Sequence, residues 1–197
     1  MFKAENMGSL MAAATQGIAM WKEAGCMEAG LWAIDGSSPG SFAFAVTCES
    51  AAQFYQIDDA MQVNPEFMQW QMAWANMFDF IGNYRVQLAM DLSAEHVESP
   101  SFMVQWHFTP SSMETMMAAA EEGAAIWKKA GAKHVMLTSM AGTGVGQFAF
   151  AMAFESGAEY GAILDKVSQD EDFMAWQAKY SNTAQWTGNI YGRKIMG

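Results

Sequence analysis

The chain has 197 residues, 52% of them hydrophobic and 13% aromatic, enough apolar material and length to bury a core in one or two domains. Ten basic residues stand against 21 acidic ones, a net charge of -11 with no compensating basic cluster. Such a surface repels phosphate backbones and anionic bilayers, so neither nucleic acid nor a membrane is expected as a partner.

The strongest internal signal is a repeat. Met11–Gly25 (MAAATQGIAMWKEAG) returns as Met117–Gly131 (MAAAEEGAAIWKKAG), an offset of 106 positions. Extended without a gap, that offset lays residues 1–91 over 107–197 with about a third of the positions identical, the mark of one structural unit duplicated. The repeat also decides how the N-terminal region reads. Met11–Met20 is apolar, rich in small residues and preceded by Lys3, as a signal peptide would be. Its copy at 117–126 lies in mid-chain, where no signal peptide can be, so both are expected to be helices of the folded protein. No run reaches the ~18 apolar residues of a membrane span. The two cysteines, Cys26 and Cys48, align with Ala132 and Phe154, so the second copy does without them. A structural disulfide is therefore not expected, and a reducing, cytoplasmic setting is the plain expectation.

Taken in order, the first helix runs from about Met7 to Ala24 and stops at Gly25. In the second copy Ser111 and Glu114 form a capping box, Met113, Met117, Ala120, Ala124 and Trp127 recur at helical spacing, and Gly131 is the stop. A short strand follows (Ala29–Ile34 or Val135–Met140), then a glycine-rich turn and a strand alternating large and small residues, SFAFAVTCE or QFAFAMAFE. Ser50–Gln53 and Ser156–Glu159 are capping boxes that open a second helix, which breaks near Asn64-Pro65 or Asp170-Glu171 and restarts through Phe67–Asn76 or Phe173–Asn182. A last strand covers Arg85–Leu92 or Ile190–Met196. Ahead of the second copy, Ser101–Phe108 alternates Phe102, Val104, Trp106 and Phe108 against Met103, Gln105 and His107, supplying a first strand.

The expected fold class is thus α+β, two tandem βαββαβ (ferredoxin-like) units over 1–92 and 101–197, joined by a polar linker at 93–100. The first unit lacks most of its first strand, because Met1 aligns with His107. Met1–Ala4 are expected to form a stub with Phe2 plugging the core in place of Phe108, although a strand from another chain, or residues upstream, would also answer the gap.

The stretch Gly146–Lys179 (GQFAFAMAFESGAEYGAILDKVSQDEDFMAWQAK) resembles the dimeric α/β-barrel superfamily, and within it the NIPSNAP-like and stress-responsive A/B-barrel groups. The resemblance implies that the two copies form an eight-stranded barrel within one chain, a pseudo-dimer with an internal axis near a two-fold and further self-association open to it. It also implies functions that range over cofactor-independent oxygenases, haem-binding enzymes and proteins without activity. Haem-binding relatives take a histidine ligand from a helix; His96, His107 and His134 lie on no predicted helix, and no metal or other cofactor is expected.

Gly142-Thr-Gly-Val-Gly146 leads from strand to strand, so it reads as a hairpin turn and not as a phosphate loop. Trp70/Trp176, Asn76/Asn182 and Asn83/Asn189 match the tryptophan and asparagine that oxygenase members of the superfamily use to hold substrate and oxygen. Since both members of each pair persist, they read equally as a helix-face core and a Gly-Asn turn. The alternating face Ala149, Ala151 and Ala153 leaves room for a ligand or lets a helix pack close.

Two functions are expected. The first is an apolar cleft in the second unit, edged by Gln105, His107, Tyr191 and Arg193 with Trp176 and Asn182, holding a small hydrophobic or aromatic ligand, with His107 as the acid or base of an oxygenase-like or isomerase-like reaction. The other is a structural or self-associating protein whose interior is packed and inert.

Overall fold

The computed structural model describes residues 1–98 and 100–197, so Ser99 of the expected linker lies outside the described residues. The chain is α+β, with six helices and nine strands among those residues. In order these are β1 (Phe2–Ala4), α1 (Met7–Glu23), β2 (Glu28–Gly36), β3 (Ser41–Thr47), α2 (Ala51–Gln62), α3 (Pro65–Met77), β4 (Phe78–Phe80) and β5 (Tyr84–Asp91). There follow β6 (Phe102–Pro110), α4 (Met113–Ala130), β7 (His134–Gly142), β8 (Phe148–Phe154), α5 (Gly157–Val167), α6 (Glu171–Tyr180) and β9 (Ala184–Met196). No described helix is long and apolar enough to cross a membrane.

Two compact units result: unit 1 holds Met1–Asn83 with Lys194–Gly197, and unit 2 holds Tyr84–Arg193. The sequence copies and the compact units therefore have different boundaries. β5 belongs to the first copy, yet it forms the edge strand beside β7 in unit 2, from Tyr84↔Gly142 to Asp91↔Met136 with a bulge between Leu88 and Met90. In return, Lys194 at the C-terminal end pairs its ammonium with Glu28 of β2 in unit 1.

Local chemistry explains the helix ends. Ser50 accepts from Gln53 N at 3.1 Å and Ser156 from Glu159 N at 3.1 Å, while the Gln53 and Glu159 side chains reach back to the amides of Glu49 and Glu155. Asn64, followed by Pro65 in the first turn, starts α3, and Asp170 starts α6. Gly131 closes α4 at φ 118°, a left-handed conformation that any side chain would strain. The expected cap Ser111 is displaced by one residue. Ser112 accepts from Thr115 N, because Ser111 Oγ instead donates to Thr183 O at 2.7 Å, tying the end of β6 to the start of β9. The 142–146 segment is a hairpin turn between β7 and β8, with Gly142 and Gly146 at positive φ.

Unit 2 orders its strands β9-β6-β8-β7-β5, and unit 1 orders β4-β1-β3-β2. β1 spans three residues and pairs Phe2↔Phe42 with β3 and Phe2↔Phe80 to Ala4↔Phe78 with β4. Phe2 is 4% exposed and packs on Phe42, Trp74 and Phe78.

The Gly-Asn pairs behave differently in the two copies. Gly82-Asn83 lies in the irregular segment between β4 and β5, which is not a turn. Gly188-Asn189 does not turn either; it lies inside β9, which keeps its ladder with the full-length β6 by a register shift that skips Thr187. The amides of Ile81 and Gly82 both donate to Met1 O.

The cores lie between helices and sheet. In unit 2 Phe102, Val104, Phe108, Phe150, Met152 and Phe154 face Met116, Ala120, Trp127, Tyr160 and Ile163. Trp127 is 2% exposed and stacks on Tyr160, and a side chain of that size fully buried contributes at least ~1.5–3 kcal/mol. The helices thus pack on the phenylalanine face of β8, not on its alanines, which overturns the close-packing role considered for Ala149, Ala151 and Ala153.

Candidate functional site

On the helix side of unit 2 the packing leaves a cavity of about 600 Å³. Its floor is the apolar face of the sheet, Trp106, Phe108 and Phe150, and its sides are Met116, Ala120 and Trp127 of α4 and Leu164 of α5. The remaining wall comes from one stripe of α6, Phe173, Trp176, Gln177 and Tyr180, whose spacing of three and four residues keeps them on one helix face.

Trp176 is held against α4 by one edge of its indole. Its indole Nε1 donates to Ala119 O at 2.9 Å, and the ring lies so close to α4 that a Cβ on Gly123 would sit 3.0 Å from it. The same clamp recurs in unit 1, where Trp70 Nε1 donates to Ala13 O at 2.8 Å across Gly17. The tryptophan pair is therefore a helix–helix clamp in both units, and in unit 2 it is also a cavity wall.

Polar groups gather where α6 passes into β9. Gln177, Ser181 and Thr183 line that end. The Thr183 hydroxyl donates to Tyr180 O at 2.8 Å and the Ser181 hydroxyl to Ala178 O at 3.1 Å, so each keeps acceptor capacity. The Gln177 amide has no protein partner among the described residues. Trp186, 57% exposed and edge-on to Phe108 at 5.3 Å, forms the lip. Tyr180 is the one ionisable residue on the wall; its hydroxyl donates to Glu122 at 2.8 Å. Lys179, at 2.7 Å and 3.0 Å, and then Tyr180 hold the Glu122 carboxyl below the usual range. With no formal charge on its lining, the cavity suits an uncharged, flat, apolar ligand with a few acceptor or donor atoms at one end.

The structure divides the residues expected to edge the site. Directly opposed residues share a sheet face, and the register Val104↔Tyr191 and Phe102↔Arg193 puts Tyr191 and Arg193 on the helix side. Gln105 and His107 point to the other side, so one cleft cannot be edged by all four. Tyr191 packs on Tyr160 at 6.1 Å, and the Arg193 guanidinium lies 5.5 Å from the Phe102 ring; neither lines the cavity. Asn182 is exposed in the turn between the lining residues Ser181 and Thr183. Of the expected residues Trp176 alone lines it. His107 is 6% exposed, with Nε2 3.0 Å from Gln105 Oε1, and burial pushes its pKa down. His96 and His134, far apart in sequence, meet edge-on at 4.9 Å beside Asp91, but no cluster of three or more ligating side chains suited to a metal occurs among the described residues.

At the equivalent place in unit 1 the space is filled. Trp74 stands where unit 2 has Tyr180 and Phe78 where it has Ala184, and their rings pack at 4.7 Å, with Trp70 and Phe44 5.1 Å and 5.6 Å from Trp74. The lining residues Tyr180, Ala184 and Trp186 escaped the sequence reading. The signal was present as departures from the repeat: Trp74/Tyr180 and Phe78/Ala184 both exchange a larger aromatic for a smaller side chain at one helix-to-strand junction.

Sequence comparison finds no matching family model and no matching curated protein. Solved structures do match. An anthrone oxidase-like protein superposes over 100% of this chain and 90% of its own at a TM-score of 0.60 with 11% identity. A "putative monooxygenase" from Fusobacterium nucleatum covers 99% and 88% at a TM-score of 0.58 with 10% identity. At such identities the likeness shows the fold alone, an α+β fold compatible with the α/β-barrel type to which the sequence resemblance pointed.

Proposed function

We propose that the cavity of unit 2 binds a small, flat, uncharged aromatic molecule of the anthrone or quinone class, in an oxygenase-like protein that uses no metal or cofactor. The observation that carries this is the cavity itself, about 600 Å³, walled by tryptophan and phenylalanine and polar only at the Gln177–Thr183 end. Ring stacking supplies affinity, and the amide and hydroxyls at one end orient ring oxygens. The names of the two structural neighbours favour the oxygenase version. In the balanced reaction an anthrone and O₂ give the quinone and water: the methylene loses two C–H bonds, one oxygen atom becomes the new carbonyl and the other leaves as water. The first proton lost leaves an aromatic enolate, so the substrate's own acidity carries much of the step. Tyr180 would take that proton on its hydroxyl oxygen as its own proton passes along the hydrogen bond to the Glu122 carboxylate, and would return it by the reverse relay; His107, on the opposite sheet face, is not given this role.

The architectural reading belongs with this proposal. Unit 2 runs β-α-β-β-α-α-β with strand order β9-β6-β8-β7, which supports a ferredoxin-like unit, and unit 1 repeats the order with β1 shortened. The alternative of an inert, packed protein fits unit 1 but not the open cavity of unit 2. Titration with a soluble hydroxyanthraquinone, followed by tryptophan fluorescence and calorimetry, tests binding; oxygen uptake with an anthrone tests chemistry. Saturable one-to-one binding supports the proposal, and its absence removes it. Binding without oxygen uptake removes the oxygenase part alone.

A further inference from the structure

One wall of the unit 2 cavity is fastened unlike the others. α4 and α5 are seated by buried side chains, Met116, Ala120, Ala124 and Trp127 on the first and Tyr160, Ile163 and Val167 on the second. α6 buries none of its ten residues. Its inward stripe of Phe173, Trp176, Gln177 and Tyr180 faces the cavity instead of a packed core. What holds the helix down is polar and lies at its two ends. At the first, Lys129 of α4 reaches Asp170 at 3.0 Å and Asp172 at 2.8 Å. At the second, Glu122 of α4 receives Lys179 at 2.7 Å and the Tyr180 hydroxyl at 2.8 Å.

These ties are not part of the shared architecture. The tryptophan clamp recurs in unit 1, but the ion pairs do not: Lys129, Asp170 and Asp172 are matched there by Glu23, Asn64 and Glu66, and Glu122 and Lys179 by Gln16 and Ala73. Neither pair can form from those residues, and in that unit the rings of Trp74 and Phe78 fill the space. Ionic ties therefore accompany the open cavity, in place of the apolar seat that a ligand space removes.

We propose that α6 is a hinged cover over the cavity, held down by ion-pair latches at its two ends and turning on the short segments 168–170 and 181–183. The proposal rests on the reading of that cavity as a ligand site. Exposed ion pairs are individually weak and are screened by salt, so they release a helix more readily than burial would. Asp172 and then Asp170 push the Lys129 ammonium up to about 12, and Lys179 and then Tyr180 hold the Glu122 carboxyl below its usual range. Both latches thus stay charged near neutral pH, and ionic strength is the lever that sets how often the cover lifts.

The test reads hydrogen exchange by mass spectrometry on the full chain without ligand, at about 20 mM and about 500 mM sodium chloride. Exchange across Glu171–Tyr180 should quicken about three- to tenfold at the higher salt, the range expected when a few exposed pairs are screened. α4 and α5 should stay unchanged or slow, because salt also relieves the self-repulsion of a chain at a net charge of -11. Lys129→Met combined with Lys179→Met keeps the side-chain length and removes the charges; it should quicken α6 at low salt and abolish the response to salt. An α6 that ignores both changes overturns the proposal. Equal quickening in α4 and α5 overturns it as well, by making the pairs general supports of the fold. Stopped-flow mixing with a soluble hydroxyanthraquinone then reads the cover directly: the association rate should rise about threefold or more in the double variant, in step with the open fraction. Binding at an unchanged rate routes entry past Trp186 and overturns the cover. No binding to either protein removes the ligand reading, and the exchange result alone then decides whether α6 is the moving wall.

Discussion

The ligand cavity can be closed with a side chain that the protein already uses. Ala184 lines the cavity and pairs with Pro110, as Phe78 in the other copy pairs with Ala4, so Ala184→Phe places a ring on a backbone that accepts one in unit 1. Directed inward, the ring meets Phe108 and Tyr180 and takes the volume that a flat ligand needs. Burying much of a phenylalanine side chain in a preformed space contributes ~1.5 kcal/mol, the low end for full burial because the half-exposed backbone site leaves part of the ring wet. In a protein of this length that corresponds to a rise in Tm of about 3–6 °C. Hydroxyanthraquinone affinity should fall at least about tenfold, a loss of ~1.4 kcal/mol. Differential scanning fluorimetry and calorimetric titration read the two effects on the same sample. Undiminished affinity in a folded variant would show that the ligand binds elsewhere. A large fall in Tm would show that the space is not available, since overpacking typically costs ~1–3 kcal/mol.

The converse change in unit 1, Trp74→Tyr with Phe78→Ala, should open a second cavity; ligand stoichiometry rising from one toward two, with stability lost by up to about 3 kcal/mol, is the expected calorimetric and thermal result. Gly17→Ala should destabilise by ~1–3 kcal/mol in denaturant titration, because its Cβ would lie 2.4 Å from a Trp70 ring boxed in by Phe44, Phe67 and Trp74. Gly123→Ala should cost little, since the contact is 3.0 Å and Trp176 can yield into the cavity, at the expense of ligand affinity. Burial holds the pKa of His107, and likewise of His134, below the ordinary value, so the unfolded chain takes up protons first as pH falls. Stability is then fully present above about pH 6.5 and falls below it, by at most ~1.4 kcal/mol per pH unit for each histidine until its folded pKa is passed. His107→Gln, which keeps a partner for Gln105, should flatten the fall in Tm between pH 7 and pH 5, and an unchanged slope would assign it to other groups.

Much of the fold was legible because the duplication let each copy check the other. Capping boxes at Ser50 and Ser156, the break at Asn64-Pro65 and the stop at Gly131 are local chemistry, and the structure keeps them. What escaped was non-local. Which face Tyr191 and Arg193 occupy depends on their register against β6, a pairing across nearly ninety positions that alternation within one strand cannot supply. Gly188-Asn189 has the composition of a turn, but pairing with β6 overrides it and keeps it inside β9. The cavity was legible in principle at positions where the copies disagree, Trp74/Tyr180 and Phe78/Ala184. Attention to positions that persist led instead to the tryptophan clamp, which both units need for packing.

The placement of β5 bears on how this chain can be divided. A cut at the sequence-repeat boundary, between 92 and 101, would sever no strand, yet each fragment would lack a piece that the other carries. The fragment 1–92 would hold the edge strand of unit 2 with no β7 beside it, and 101–197 would hold the end of unit 1 with Lys194 deprived of Glu28. Mixed together, the fragments have a reason to reassociate; separately, the first exposes the orphaned β5 and the second the unpaired end of β9. The two copies are thus covalent partners whose strand exchange makes them interdependent, and recombination that swaps a whole copy must preserve both exchanged ends.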